Sequence, residues 1–208
     1  MVRLEKGAQP DVLVRHGQQW TDELLRRINA GEVISEYLLS RYSHPQIKAA
    51  LIAETSGKCA YCESPFTHIA YGDVEHIVPK SIDARLRFAW ANLTVACDVC
   101  NQNKSNHLGI VDPYVSDPID MFEYFGPLMW AALGNDVAQL TEELIDLNRP
   151  GLVERRRERL EYIRRLVDSA LTKPVAVRDA MLERAWREVE QTRPFSACAR
   201  AMLGKLLA

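Results

Sequence analysis

Four cysteines fall into two pairs of the same spacing, Cys59 and Cys62 in "CAYC" and Cys97 and Cys100 in "CDVC". Two C-x-x-C pairs supply four thiolates, the ligand set of a closed tetrahedral zinc site. A chain with five cysteines seldom yields two such pairs by chance. A zinc held by four protein sulfurs has no open position, so it staples a fold and does not catalyse. The pairs are separated by the 34 residues from Glu63 to Ala96, more than the roughly 15–20 of a compact zinc ribbon. Something sizeable, such as a two-stranded hairpin with a long loop, must lie between them. Cys198, in "FSACARAML", is outside the set and reads most simply as a buried small hydrophobe.

A second group of residues sits inside this frame. Glu75 and His76 are adjacent on an expected strand, Asn92 opens a second, and Asn101 directly follows Cys100. Taken singly, a histidine in a strand is more often a core residue than a base, and an asparagine in a loop is usually a turn former. Their joint order, in "KCAYCE", "VEHIVPK", "WANL" and "CDVCNQNK", resembles the HNH nucleases, the ββα-metal family. The third motif letter is usually histidine. Asn101 stands there instead and offers an oxygen, which suits Mg²⁺.

The resemblance implies that His76 is the general base and that Glu75 with Asn101 holds a divalent ion, Mg²⁺ or Mn²⁺. Asn92 would orient the loop and the imidazole, and Lys80 and Lys104 are candidates for phosphate contacts. The chemistry is coherent by itself. Phosphodiester hydrolysis needs an activated water, which a neutral imidazole provides, and stabilisation of developing charge, which a bound cation provides. One feature strains this assignment: on a straight strand Glu75 and His76 point to opposite faces. Asp73 is therefore a reserve ligand, and His107 an alternative beside the expected helix. His16, His44 and His68 have no such context and read as surface residues.

The elements that must position these groups are mostly helical. Trp20, Leu24, Leu25 and Ile28 recur at helical spacing up to a stop at Gly31, and Val33, Ile34, Tyr37 and Leu38 resume the pattern. A third helix starts after Pro45 and runs to about Glu54, with Gly57 behind it. "YGDVEHIVP" and "NLTVAC" read as two short strands, and a helix is expected directly after the second cysteine pair. "MFEYFGPLMWAAL" is ambiguous between strand and buried helix. Leu160, Ile163, Val167 and Leu171 mark one late helix, Met181 to Val189 another, and "PFSACARAMLGKLL" a third. The expected class is α+β and mainly α, a zinc-stapled ββα-metal core flanked by helices. Residues 1–56 would form an N-terminal helical region, 57–126 the core and 127–208 a C-terminal helical region, as separate regions or as one continuous domain. Of Trp20, Trp130 and Trp186, core is expected for at least two, and any exposed one is a docking anchor.

Composition is ordinary for a globular protein, with a net charge of −2 and no broad basic surface for phosphate binding. The arginines of "RPGLVERRRERLEYIRR" alternate with glutamates and read as a solvated helix face. No segment approaches a membrane span or a signal-peptide core, so the cytoplasm is the expected compartment. "MVRLEKGAQP", "VEHIVPKS", "VDPYVSDPIDMFEYF", "LIDLNRPGLVERRRERL" and "PFSACARAML" together resemble PtuB, the HNH subunit of Septu-type and retron-associated antiphage defence. That resemblance implies cleavage of invading DNA to 5′-phosphate ends and a partner, the ABC-type ATPase PtuA. A stand-alone restriction nuclease, an effector that cleaves RNA including tRNA, and a non-enzymatic zinc module are the competing readings.

Overall fold

The computed structural model describes residues 1–68 and 70–208. By contact the chain divides into two units. One comprises Leu4–Ala60 and Phe66–Leu108, and the other Met1–Arg3, Tyr61–Pro65 and Gly109–Ala208. The N-terminal helices thus belong to the same unit as the strands of the expected core, where the sequence suggested a boundary near residue 56.

In the first unit α1 (Asp11–Asn29) buries Leu13, Trp20 and Leu24 along one face and stops ahead of Gly31, whose φ is +66°. The expected helix over Val33–Leu38 is only one turn, α2 (Glu36–Leu39), with Ser35 capping it through its side chain. Val33 stays in solvent, because the chain has left helical geometry at Gly31 and re-enters only at the Ser35 cap. Helix α3 (Pro45–Glu54) takes Pro45 as its first residue, one earlier than read from the sequence, and buries Ile47 and Leu51 against the strands.

Strands β1 (Asp73–His76) and β2 (Leu93–Ala96) pair antiparallel, Glu75 opposite Thr94 and His76 opposite Leu93. They are the expected hairpin with a long loop. Asn92 does not open the second strand but ends a 3-10 turn, Trp90–Asn92, just before it. Helix α4 (Asp98–Lys104) begins inside the second cysteine pair, so Cys100 and Asn101 both lie on it.

The second unit holds a hairpin, β3 (Phe122–Phe125) and β4 (Leu128–Ala131), which resolves the ambiguous aromatic run in favour of strand. Gly126, with φ +59°, supplies the turn that neither strand residue could. Helix α5 (Asp136–Ile145), capped by Asn135, was not foreseen, although its Ala138, Thr141 and Ile145 lie at helical spacing and are buried. Helices α6 (Pro150–Leu171), α7 (Val175–Glu188) and α8 (Ser196–Leu207) match the late periodic segments and pack on one another.

Most of the α6 arginines do form exposed pairs, such as Arg157 with Glu154 and Arg164 with Asp168. Arg156 is the exception: it is buried and donates to the carbonyls of Leu147 and Pro127. Only Trp20 of the three tryptophans is core; Trp130 is 48% and Trp186 45% exposed, against the expectation for two of three. Trp130 lies on β4 and Trp186 on α7, each leaving about half of its surface in solvent. Cys198 is buried, and burial pushes its thiol up to about 12, as suits a small hydrophobe. No helix among the described residues is long and apolar enough to cross a membrane.

Gly72 enters β1 with φ +61°, and a Cβ there would stand 2.5 Å from the Phe66 ring. Gly72→Ala should cost about 2–4 kcal/mol in equilibrium unfolding, the sum of left-handed backbone strain and overpacking. Gly126→Ala, with an equally positive φ and open space, should cost only about 1–2 kcal/mol, so equal losses at the two positions would contradict this account.

Candidate active site

Asp73, Glu75 and His76 of β1 line one pocket of about 430 Å³ together with Lys80 and Asn101. Glu75 and His76 are both buried, at 7% and 3% exposure. Their adjacency does not separate them, because His76 is the last residue of β1 and the chain turns at Pro79, whose carbonyl accepts from Ile82 and Asp83. The pocket wraps around this strand end.

His76 is held by its ring. Its Nε2 lies 2.9 Å from the carbonyl oxygen of Arg87. A carbonyl can only accept, so Nε2 carries the hydrogen and Nδ1 keeps its lone pair. The ring also meets Tyr42 edge-to-face, with centroids 4.6 Å apart. Burial pulls the imidazole down to about 4; the Arg87 carbonyl opposes this, and the charges of Lys80, Arg87 and Lys104 add to it. The side chain is therefore neutral at neutral pH.

Asn92 fixes the loop that carries Arg87. Its Oδ1 accepts from the Val78 amide at 2.8 Å, and its Nδ2 donates to the carbonyls of Val78 and Leu86 at 3.0 and 3.2 Å. Leu86 immediately precedes Arg87, so the asparagine sets the carbonyl that sets the imidazole. The sequence reading gave Asn92 the role of orienting this loop and the imidazole.

Glu75 accepts from Lys104 Nζ at 2.8 Å, and the same ammonium donates to the His76 carbonyl at 2.7 Å. Burial raises the Glu75 carboxyl, while Lys104 pulls it back toward the ionised form. Lys104 has 0% exposure. It was expected to touch phosphate; the structure instead turns it inward as the counter-charge of Glu75, because α4 presents its last turn to β1. Lys80 is exposed at the pocket rim and donates to the Tyr42 hydroxyl at 2.7 Å, which keeps it a phosphate candidate.

Asn101 Nδ2 donates to Asp73 Oδ2 at 3.0 Å. Since a carboxylate only accepts, the amide nitrogen faces Asp73 and Oδ1 is turned away from it. Asp73, Glu75 and Asn101 thus place oxygen donors around one pocket, a set suited to a hard divalent cation. His107 is exposed beyond α4 and does not line the pocket, so it is not brought to the site.

The sulfurs of Cys59, Cys62, Cys97 and Cys100 all lie within 4.8 Å of one another. A tetrahedron with Zn–S bonds of 2.3 Å has edges of about 3.8 Å, so the cluster is compatible with a zinc site. The Cys97 carbonyl accepts the backbone N–H of Asn101, which ties the candidate oxygen ligand to the sulfur cluster by one helical turn.

Sequence reasoning did not find Tyr42, Ser43 or Lys48, which line the pocket from the start of α3 and the turn before it. "RYSHPQIK" carries no motif, and only the packing of α3 on β1 brings it there.

Residues 59–107 match the family model described as HNH endonuclease. This segment resembles the HNH endonucleases. Over 191 residues the chain is 28% identical to Septu protein PtuB of Bacillus thuringiensis, an alignment covering 89% of this chain and 65% of that protein. Septu protein PtuB of Bacillus mycoides (strain KBAB4) is 29% identical over 90 residues, 36% of this chain and 30% of that one. The chain thus spans less than two thirds of the length of these relatives. Both resemblances drawn from the sequence, to HNH nucleases and to PtuB, are borne out. The HNH segment contains the four cysteines and all the motif residues, whereas Tyr42 and Lys48 lie outside it.

Because His76 is buried neutral, the unfolded chain takes up its proton first as pH falls. The stability tied to its neutral form is fully present above about 6.5 and is lost as pH drops toward 4. In His76→Ala this portion, up to about 3 kcal/mol, should vanish from the pH dependence. Unfolding of both proteins at pH 7 and pH 5 measures it, and parallel losses in the two would contradict a buried neutral imidazole.

Proposed function

We propose that the chain is a metal-dependent HNH endonuclease that hydrolyses phosphodiester bonds in invading DNA. It acts as the nuclease subunit of a Septu-type defence complex with a PtuA-like ABC-type ATPase. The observation that carries the catalytic reading is the His76 ring, locked through Nε2 on the Arg87 carbonyl with Nδ1 left as the base. In this reading Nδ1 takes a proton from water as the water oxygen attacks phosphorus. The bond to the 3′ oxygen breaks, the 5′-phosphate stays on one product, and the 3′ oxygen leaves with a proton. Asn92 and Arg87 keep the imidazole aimed, and Lys80 faces the phosphate from the rim.

Mg²⁺ or Mn²⁺ bound by Glu75 and Asn101, with Asp73 beside them, supplies charge stabilisation for the phosphate and leaving oxygen. Lys104 orients the Glu75 carboxylate for that role. Zinc on Cys59, Cys62, Cys97 and Cys100 holds the two chain segments together and leaves the chemistry to the oxygen site. The cytoplasm, where phage DNA is met, is the matching compartment. The PtuB relatives support the defence assignment and the ATPase partnership follows from it; co-purification with an ATPase encoded beside this chain tests that part.

His76→Ala should lower single-turnover cleavage by at least about 10²-fold while the protein stays folded and retains its zinc. Unchanged cleavage would remove the catalytic assignment. Cys97→Ser should lose zinc by elemental analysis and with it much of the thermal stability. A soluble, zinc-free and active Cys97→Ser protein would refute the staple.

A further inference from the structure

A second hollow of about 340 Å³ adjoins the catalytic pocket, sharing Ser43 and Lys48 with it. Its chemistry is different. Pro45, Ala49 and Ile52 of α3 give it an aliphatic floor, and Tyr71 forms a wall. Tyr71 is 87% exposed, so its ring is open to a ligand, and the Lys48 ammonium stands 5.9 Å from the ring centroid. Among the described residues neither Lys48 nor Lys80 is engaged in a salt bridge. The arrangement repeats on the other side, where Lys80 lies 4.5 Å over the Tyr42 ring that packs against His76. Two tyrosine–lysine pairs therefore flank the candidate reaction centre.

An aromatic face beside a cation, next to a polar pocket for phosphate, is how proteins hold an unpaired nucleotide. The ring stacks on the base and the cation follows the backbone. In a duplex both faces of a base are covered by its neighbours, so a base reaches such a slot only from a single strand, an overhang or a flipped position. We infer that the slot walled by Tyr71 is a nucleobase subsite, and that the substrate is a polynucleotide with an unpaired nucleotide beside the scissile phosphate. Lys48, shared by both hollows, bridges to the intervening backbone. This inference rests on the nuclease reading of the adjoining pocket.

The test is binding of fluorescent oligodeoxyuridylate, oligouridylate and a blunt duplex, each of about a dozen nucleotides, to the cleavage-dead His76→Ala protein. Adding Tyr71→Ala should weaken single-strand binding about tenfold, while Tyr71→Phe, which keeps the ring, should stay within about twofold. Duplex binding should be weaker throughout and indifferent to Tyr71. Lys48→Met should reduce the slope of log affinity against log salt by about 0.7, the value for one phosphate contact on a single strand. A preference for either oligonucleotide supports the subsite and names the sugar. Single-strand binding unchanged by Tyr71→Ala, or tighter binding of the blunt duplex, would overturn it. A Tyr71→Ala single variant that still cleaves single strands at the wild-type rate sinks the subsite alone, whereas a wild-type protein that cleaves no polynucleotide sinks the nuclease reading as well.

Discussion

The Lys104 ammonium, with no exposed surface, sits between the Glu75 carboxylate and the His76 carbonyl. A charge removed from water is tolerated only when paired, and stripping one partner from such a pair costs about 3–5 kcal/mol. The last turn of α4 and the last two residues of β1 are thus bound to each other by more than shape. Separating them would leave two buried groups without partners, so the strand end that carries Glu75 and His76 stays pinned against the helix that carries Asn101.

Around that pair the site is built by short relays of hydrogen bonds. Asn92 holds the Leu86 carbonyl, the next residue offers its own carbonyl to His76, and the imidazole is left in one tautomer. Asp73 does the same for Asn101 by accepting from its amide nitrogen. Each relay decides which atom of a side chain at the pocket is turned away from its protein partner. Sulfur and oxygen donors are segregated at the same time. The four cysteines cluster by themselves, and the oxygens of Asp73, Glu75 and Asn101 gather at the pocket, so soft and hard cations meet different ligands.

The second unit is stabilised differently. Arg156 is buried on carbonyls, and the buried Glu63 carboxylate accepts from the Ser196 hydroxyl at 2.8 Å. The pocket around the end of β1 is lined by residues of the first unit, and the flanking helices α1 to α3 belong to that unit as much as the strands do. Their contribution is direct: α3 and the turn before it bring Tyr42 and Lys48 to the pocket rim.

Much of the site was legible because its signals are local in the chain. The C-x-x-C spacing declares a four-sulfur set, and the adjacency of Glu75 with His76 and of Cys100 with Asn101 declares the motif. Proline and glycine punctuation placed α3 to within a residue at its start and stopped α1 just ahead of Gly31. What the sequence left open were matters of direction and partnership. Lys104 looked like a phosphate ligand because a lysine's type says nothing about which way a helix face turns. Helix α5 was passed over, and the hairpin of β3 and β4 stayed undecided, since a short apolar run fits either period until its partner is known. The sequence by itself determined which chemical groups this protein carries and their order. Only the tertiary structure decided which atoms of those groups are spent on one another and which remain for a substrate, because hydrogen bonds between residues far apart in the chain leave no trace in spacing.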